Sequence, residues 1–69
     1  MFIVYILYSS NVDQYYVGHT QNIDDRLSRH NSGRSLSTKK GMPWILVYRE
    51  TFETRSEAML REKGKLIKN

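Results

Sequence analysis

A run of seven apolar or aromatic residues near the amino terminus, Phe2 to Tyr8, is the feature that most constrains the fold. Because this segment has no polar face, both of its faces must be covered, which predicts a central β-strand. A shorter and more polar segment, Gln14 to His19, follows after a run of turn-forming residues at positions 9–13. We therefore predict a β-hairpin around which the rest of the chain is arranged.

The register of this hairpin decides which side chains share a face. We predict a turn centred on Ser10 and Asn11, which places Tyr5 directly opposite Tyr16 on one face of the sheet. Gly18 follows on the same face as Tyr16. A glycine inside a strand often leaves space for a ligand or for another backbone. The pattern therefore predicts two phenols and an open position on one surface.

The next segment has the signals of a short helix. Asn22 can cap a helix that runs to about Asn31, and Gly33 supplies a left-handed stop. Residues 34–41 are rich in Ser, Thr, Gly and Lys and show no periodicity. We expect them to form an irregular, mobile loop.

A third strand and a second helix complete the predicted fold. Residues 44–52 are rich in aromatic and β-branched side chains, which favours a strand. Thr54 and Glu57 form a capping-box pattern, and helical periodicity continues from there through Ile67. The predicted fold is α+β, a small three-stranded antiparallel sheet flanked by helices in the order β-β-α-β-α, with residues 1–69 as a single domain.

Composition limits the possible environments of the chain. It has 69 residues and no cysteine, so neither a disulfide framework nor a thiolate metal site can stabilise it. The longest apolar run has seven residues, too few for a membrane span, and it lacks the flanks of a signal peptide. We expect a cytoplasmic, soluble protein without a membrane partner.

Charge is distributed unevenly along the chain. The net charge is +4, yet residues 1–25 contain three acids and no lysine or arginine, and all eleven basic residues fall in 26–69. Between Arg26 and Arg49 there are six basic residues and no carboxylate. This pattern favours contact with a polyanion such as nucleic acid. The alternative is an ordinary solvated basic surface.

An acidic residue falls on the predicted core face of the second helix. Met59, Leu66 and Ile67 define that face, and helical spacing places Glu62 between them. A desolvated carboxylate is costly unless a cation or a metal compensates it. Glu62 is therefore a candidate functional residue, with the alternative that it lies at the edge of the face and reaches water.

Arg26 and His30 are four residues apart, so they project from one side of the first helix. An arginine can hold a phosphate by two parallel hydrogen bonds, and an imidazole can donate or accept a proton. The alternative is that both are cations that stabilise the end of a helix.

Taken together, these residues resemble the motifs of the GIY-YIG nuclease family, in particular those of its small stand-alone members. The elements that carry the resemblance, in order along the chain, are Ile3-Val4-Tyr5, Tyr16-Val17-Gly18, Arg26, His30 and Glu62. Ile3 stands where the first motif has glycine, and Val17 stands where the second has isoleucine. Neither departure removes a functional side chain, and the resemblance spans nearly the whole chain.

The resemblance implies a role for each of these side chains. Glu62 would hold one divalent cation, Mg²⁺ or Mn²⁺, with waters and a substrate phosphate completing the shell. Tyr5 or Tyr16 would orient or deprotonate the attacking water, which requires a phenol pKa lowered by nearby cations. Arg26 would stabilise charge on the phosphorus, and His30 would assist proton transfer or contact the phosphate.

The implied function is metal-dependent hydrolysis of DNA phosphodiester bonds by an endonuclease of low sequence specificity, with any selectivity coming from DNA structure or from partners. His19 lies on the strand face opposite Tyr16, so we expect only a DNA contact from it. The residues expected to contact DNA are Gly18, His19, Arg29, Arg34, Lys39 and Lys40. The alternative is a non-catalytic DNA- or RNA-binding module that retains the fold. A purely structural interaction domain would leave Glu62 and the two tyrosines unexplained.

Overall fold

The computed structural model describes residues 1–33 and 38–64. Its strands and helices are β1 (Phe2–Ser9), β2 (Gln14–Thr20), α1 (Ile23–Asn31), β3 (Ile45–Phe52) and α2 (Arg55–Lys63), with a 3₁₀ turn at Lys39–Gly41 before β3. This order confirms the predicted α+β fold. In the part of the chain that the structure describes, no helix has the length and hydropathy needed to cross a membrane.

The three strands form one antiparallel sheet in the order β2-β1-β3. The prediction that the first strand is central is therefore confirmed. Val4, Tyr5 and Leu7 of β1 are fully buried, although their side chains alternate between the two faces. Covering both faces requires apolar residues throughout the strand, which explains the uninterrupted run in the sequence.

The predicted hairpin register is wrong by two residues. Tyr5 pairs with Gly18, and Tyr16 pairs with Leu7. The loop is longer than predicted and spans residues 10–13, because Asp13 adopts a left-handed conformation with φ of 50° before the strand resumes. Side chains alternate with a period of two, so a shift of two residues leaves Tyr5 and Tyr16 on the same face.

The predicted caps of both helices are confirmed. At the start of α1, the Asn22 side chain accepts a hydrogen bond from the Asp25 N–H at 3.1 Å. Gly33, beyond the end of α1, has φ of 79°. At the start of α2, Thr54 and Glu57 form the predicted capping box. Each cap satisfies backbone donors that would otherwise lack a partner, which fixes where the helix begins.

The predicted core face of α2 is wrong. Met59 is 40% exposed, whereas Ala58 is fully buried, so the face that meets the sheet is rotated by one residue. Glu62 follows Ala58 by one helical turn and therefore lies along the observed face. The described helix ends at Lys63 and is capped by Gly64. The predicted continuation to Ile67, which includes Leu66, lies outside the described residues.

The core on the α1 side of the sheet is built from Tyr5, Leu7, Ile23 and Trp44. Trp44 is anchored by Asn31, whose Oδ1 accepts from the Trp44 backbone N–H at 2.5 Å and whose Nδ2 donates to the Trp44 carbonyl at 3.0 Å. These two bonds join the last residue of α1 to the residue that precedes β3.

The segment before β3 is only partly described, because residues 34–37 lie outside the description. The prediction of an irregular loop is wrong for the rest of it. Lys39–Gly41 form the 3₁₀ turn, and Thr38 is buried with its carbonyl accepting from Trp44 Nε1 at 2.7 Å. Trp44 therefore places Thr38 against the core.

Candidate active site

Tyr5 lies across the backbone of Gly18 on the neighbouring strand. An added Cβ at Gly18 would lie 2.7 Å from Tyr5 Oη and 2.9 Å from Tyr5 Cζ, so the glycine is needed to accommodate the phenol. The open position predicted at Gly18 is thus filled by this protein's own tyrosine. Gly18 is itself buried, and the structure does not support its predicted contact with DNA.

A buried hydrogen-bonded chain runs from this phenol through α1. Tyr5 Oη lies 3.2 Å from His30 Nε2, and His30 Nδ1 lies 2.8 Å from Thr38 Oγ1. All three side chains are buried. His30 therefore links the central strand to the segment that follows α1, and each of its ring nitrogens has a partner.

Tyr16 completes an aromatic cluster on the same face. Its ring centroid is 6.4 Å from that of Tyr5, 4.9 Å from that of His30 and 6.2 Å from that of Trp44. Unlike Tyr5, Tyr16 is only partly buried. The structure thus brings the two predicted phenols and the predicted histidine together.

Burial controls the protonation of this cluster. It raises the pKa of Tyr5 to about 12, and the nearby Tyr16 and Glu62 act in the same direction. Arg26 lowers the pKa of Tyr5, but its effect is smaller than that of burial. The lowered phenol pKa expected for catalysis is therefore not found at Tyr5. Burial, assisted by the charge of Arg26, also lowers the pKa of His30, so its imidazole is neutral at pH 7.

Arg26 lies one helical turn before His30 and is partly buried. Its Nε is buried, and no described residue accepts a hydrogen bond from it. Buried guanidinium donors normally have a partner. The Arg26 side chain also lines an open pocket together with His19. The Arg26 side chain, which lines this pocket and also acts on the Tyr5 phenol, is suited to bind an anion there.

Glu62 is held by a residue that the sequence did not connect with it. His19 Nδ1 lies 2.5 Å from Glu62 Oε1, and the two side chains are 31% and 33% exposed. His19 projects from the face of β2 opposite Tyr16, as predicted, but α2 packs so that Glu62 meets it there. Glu62 also raises the pKa of Tyr5, although it is the smallest of the effects that act on this phenol.

Comparison with known proteins identifies the family of the chain. A family model described as the GIY-YIG catalytic domain matches residues 1–69. The chain belongs to the GIY-YIG family. This confirms the resemblance predicted from the motifs. GIY-YIG domains form a nuclease superfamily, and a nuclease domain implies a nucleic-acid substrate.

The GIY-YIG chain is also similar to curated bacterial proteins. A UPF0213 protein of Staphylococcus haemolyticus is 46% identical over 48 residues, which cover 68% of this chain and 58% of the relative. UPF0213 proteins of Staphylococcus epidermidis and Staphylococcus aureus are each 40% identical over 60 residues, which cover 86% of this chain and 72% of the relative. The chain thus spans less than two thirds of the first of these relatives. No solved structure matches the chain.

GIY-YIG nucleases generally use a divalent metal, so the side chains of the site that could bind a cation are of interest. Within residues 1–33 and 38–64, no group of three or more His, Cys, Asp or Glu side chains could hold an ion. Glu62 nevertheless has a partly exposed carboxylate, and His19 is its only described hydrogen-bond partner, which leaves the second oxygen available. This donor set fits a hard cation bound by one carboxylate and otherwise by water and phosphate oxygens.

The other predicted contacts are dispersed over the surface. Arg29 is exposed and lies 4.0 Å from Asp25, and Lys39 and Lys40 are exposed in the 3₁₀ turn. Arg34 lies outside the described residues. These cations do not join the cluster around Tyr5. The predicted site therefore consists of a compact centre and of separate basic residues on the surrounding surface.

Sequence reasoning missed Thr38, and it assigned His19 a contact with DNA rather than with Glu62. Thr38 lies in a segment without periodicity, and no local pattern indicates that its hydroxyl meets His30. The pairing of His19 with Glu62 depends on how α2 crosses the sheet. A histidine beside the second motif was the only signal for it.

Proposed function

We propose that this chain is a divalent-metal-dependent endonuclease domain that hydrolyses DNA phosphodiester bonds, and that residues 1–69 act as one domain. The observation that carries the proposal is the environment of the Tyr5 phenol. It is hydrogen-bonded to His30, and both Arg26 and Glu62 act on it electrostatically, although these residues are far apart in the chain. For phosphodiester hydrolysis, a phenol or an imidazole can transfer protons, a guanidinium can stabilise developing negative charge, and a carboxylate can hold a divalent cation.

A phenol of this cluster takes a proton from the attacking water in the proposed reaction, and the two tyrosines differ in what they offer. Tyr5 has a proton acceptor in His30 Nε2 but is fully buried. Tyr16 is partly exposed but has no described acceptor. A phenol with a pKa of about 12 is protonated at neutral pH, so Tyr5 can act as a base only by passing its own proton to His30. Thr38 holds the imidazole for this transfer by accepting from its Nδ1–H.

Cleavage by Tyr5→Phe and Tyr16→Phe, measured over a range of pH, distinguishes the phenol that acts as a base from a phenol that only packs in the cluster. Loss of the base should lower kcat and change the shape of its dependence on pH, since the proton transfer that this phenol carries is removed. Loss of a phenol that only packs should lower kcat less and leave the shape of the pH profile unchanged. Identical profiles in both variants and the wild type would contradict a phenol base.

Arg26 stabilises the negative charge that develops on the phosphate oxygens. The Arg26 side chain acts on the Tyr5 phenol and lines the open pocket, so a substrate phosphate beside that phenol would meet its guanidinium. Arg26→Ala should lower the rate of cleavage about 10²- to 10³-fold, the range found when one such donor is removed.

Glu62 is the proposed ligand of one divalent cation, Mg²⁺ or Mn²⁺, with His19 holding the carboxylate in place. When bound, such a cation would stabilise negative charge on the phosphate and lower the pKa of a coordinated water. With one carboxylate, the site should be weak until a phosphate oxygen is present. The exposed Arg29, Lys39 and Lys40 would bind the DNA backbone, which gives salt-dependent affinity with little sequence specificity. The lack of cysteine in the sequence supports a reducing, cytoplasmic compartment.

The second candidate function is a DNA- or RNA-binding module without catalysis, which the weak donor set around Glu62 would favour. Incubation with supercoiled plasmid and with branched or flapped DNA, in Mg²⁺, Mn²⁺ or EDTA, separates the two. We expect nicking that needs the metal and is abolished in Glu62→Gln, which keeps the size of the side chain and its ability to accept from His19. Binding by the wild type without cleavage under any of these conditions would favour the module. Cleavage that persists in Glu62→Gln would refute the assigned site.

A further inference from the structure

The open pocket lined by Arg26 and His19 contains a third basic residue in its lining. Arg55, the first residue of α2, lines it from the opposite helix. The pocket has a volume of about 260 Å³. This is below the roughly 300–1,000 Å³ of sites for organic ligands, so it suits a small group. Its lining contains two guanidinium groups and no carboxylate, which selects an anion.

The Arg55 guanidinium is held by an aromatic ring but is not paired with a carboxylate. Its Cζ lies 5.7 Å from the centre of the Phe2 ring, a cation–π contact. Among the residues that the structure describes, no carboxylate lies within ion-pairing distance of it. A ring contact uses the face of a guanidinium and leaves the N–H donors at its edge available. Arg55 therefore keeps donors for a group that enters the pocket.

The position of Arg55 in its helix is not explained by stability. The first turn of a helix carries partial positive charge, so a cation there is disfavoured. Glu57 and the Thr54 cap satisfy this end of α2 without any contribution from Arg55. By contrast, Arg61 near the other end of α2 donates from Nε to Glu50 Oε1 at 2.6 Å. The same helix thus has one arginine engaged in an ion pair and one that faces a pocket.

We propose that this pocket binds a phosphodiester group of the nucleic-acid strand next to the phosphate that is cleaved, with Arg55 as its principal ligand. Arg26 lies between the two positions, because it lines the pocket and also acts on the Tyr5 phenol. A second held phosphate would fix the direction and register of the strand across the site. The inference rests on the proposed nuclease function for the identity of the neighbouring phosphate but not for the binding of phosphate itself.

Binding without cleavage provides the first test. The affinity of the full chain for a short DNA duplex is measured in EDTA over a series of KCl concentrations, for the wild type, Arg55→Gln and Arg61→Gln. Arg55→Gln should reduce the slope of log K against log[salt] by about 0.9, the value for one phosphate contact. Arg61→Gln removes the same charge from the same helix and should leave the slope unchanged. Equal slopes for the wild type and Arg55→Gln, or an equal loss in Arg61→Gln, would overturn the proposal.

Two further arms establish that the variant is folded and which phosphate is bound. Arg55→Gln should melt close to the wild type, since it loses the contact with the Phe2 ring but also removes a cation from a helix start, and Arg55→Lys should retain the salt slope. Duplexes with 5′-phosphate and 5′-hydroxyl ends should bind equally. Tighter binding of the phosphorylated duplex that is lost in Arg55→Gln would assign the pocket to a terminal phosphate and overturn an internal one.

Replacing single phosphodiesters of the DNA with uncharged linkages locates the contact relative to the cleaved phosphate. A methylphosphonate next to the cleaved phosphate should slow cleavage by the wild type, and the same substitution should cause no further loss in Arg55→Gln. If the methylphosphonate slows cleavage by Arg55→Gln as much as cleavage by the wild type at every neighbouring linkage, the assignment is contradicted. If the wild type binds with the expected slopes but does not cleave, the nuclease proposal fails and the phosphate pocket stands. If the wild type cleaves DNA but Arg55→Gln has the same salt slope as the wild type, the phosphate pocket is refuted and the nuclease proposal stands.

Discussion

Gly18→Ala tests whether the close approach of two strands is what positions the Tyr5 phenol. The added methyl would lie 2.7 Å from Tyr5 Oη, 2.9 Å from Tyr5 Cζ and 3.2 Å from Tyr16 Cε1, whereas ordinary contacts begin at 3.4 Å. Tyr5 is fully buried and is bound to His30, so it has no free direction in which to move. Either the ring or the β2 backbone must shift.

The expected cost follows from three effects. Overpacking a buried site costs about 1–3 kcal/mol. A weakened hydrogen bond between Tyr5 and His30 adds about 0.5–1.5 kcal/mol. Replacing a strand glycine by alanine returns about 0.5–1 kcal/mol of backbone entropy, which is too little to offset the other two. A net loss near 2 kcal/mol should lower the Tm of a domain of this size by roughly 8–16 °C.

Thermal and urea denaturation measure this loss, with Gly64→Ala as the matched control. Gly64 has φ of −67° and an added Cβ would lie 3.3 Å or more from its nearest neighbours, so alanine there should cost much less than alanine at position 18. In the Tyr5→Phe background the closest atom is absent, and Gly18→Ala should cost less than in the wild type. Gly18→Ala that melts with the wild type, or that costs the same with and without the hydroxyl, would refute the reasoning.

Three further predictions concern the buried hydrogen-bonded chain. Because the folded-state pKa of Tyr5 is raised to about 12, its contribution to stability should be complete below the unfolded pKa of about 10 and decline above it; absorbance titration should show tyrosine ionisation that extends to about pH 12, and Tyr5→Phe should remove that last component. Because the pKa of His30 is lowered, stability should fall as the pH drops below about 6.5, and His30→Gln should weaken that dependence in urea midpoints measured from pH 7 to pH 5. Thr38→Val should cost about 1–3 kcal/mol in urea denaturation by leaving His30 Nδ1 unpaired, and an unchanged midpoint would argue against the contact.

Local signals in the sequence predicted the helix starts and the central strand. Asn22 and the pair of Thr54 and Glu57 act through bonds to backbone groups within three residues, so their effect does not depend on the rest of the fold. The continuous apolar run of β1 likewise reports burial on both faces wherever the strand is placed.

Longer-range features could not be obtained in this way. The hairpin register depends on the left-handed Asp13, a conformation that several turn residues could have adopted. The face of α2 depends on Ala58, whose small side chain allows the helix to approach the sheet but adds little to a hydrophobic pattern. Glu62 was singled out on a face defined by Met59, and the partner that holds it, His19, is 43 residues away in the chain.

The strand order leaves β3 at an edge, and this has a practical consequence for handling the protein. Ile45 and Val47 are 55% and 50% exposed there, and no other described strand pairs with the outer side of β3. Unprotected apolar edges promote intermolecular pairing, which mutual repulsion between like-charged molecules opposes. That repulsion vanishes as the buffer approaches the isoelectric point near 9.6. Purification and storage well below this pH should keep the protein monodisperse, and light scattering should show aggregates growing as alkalinity increases.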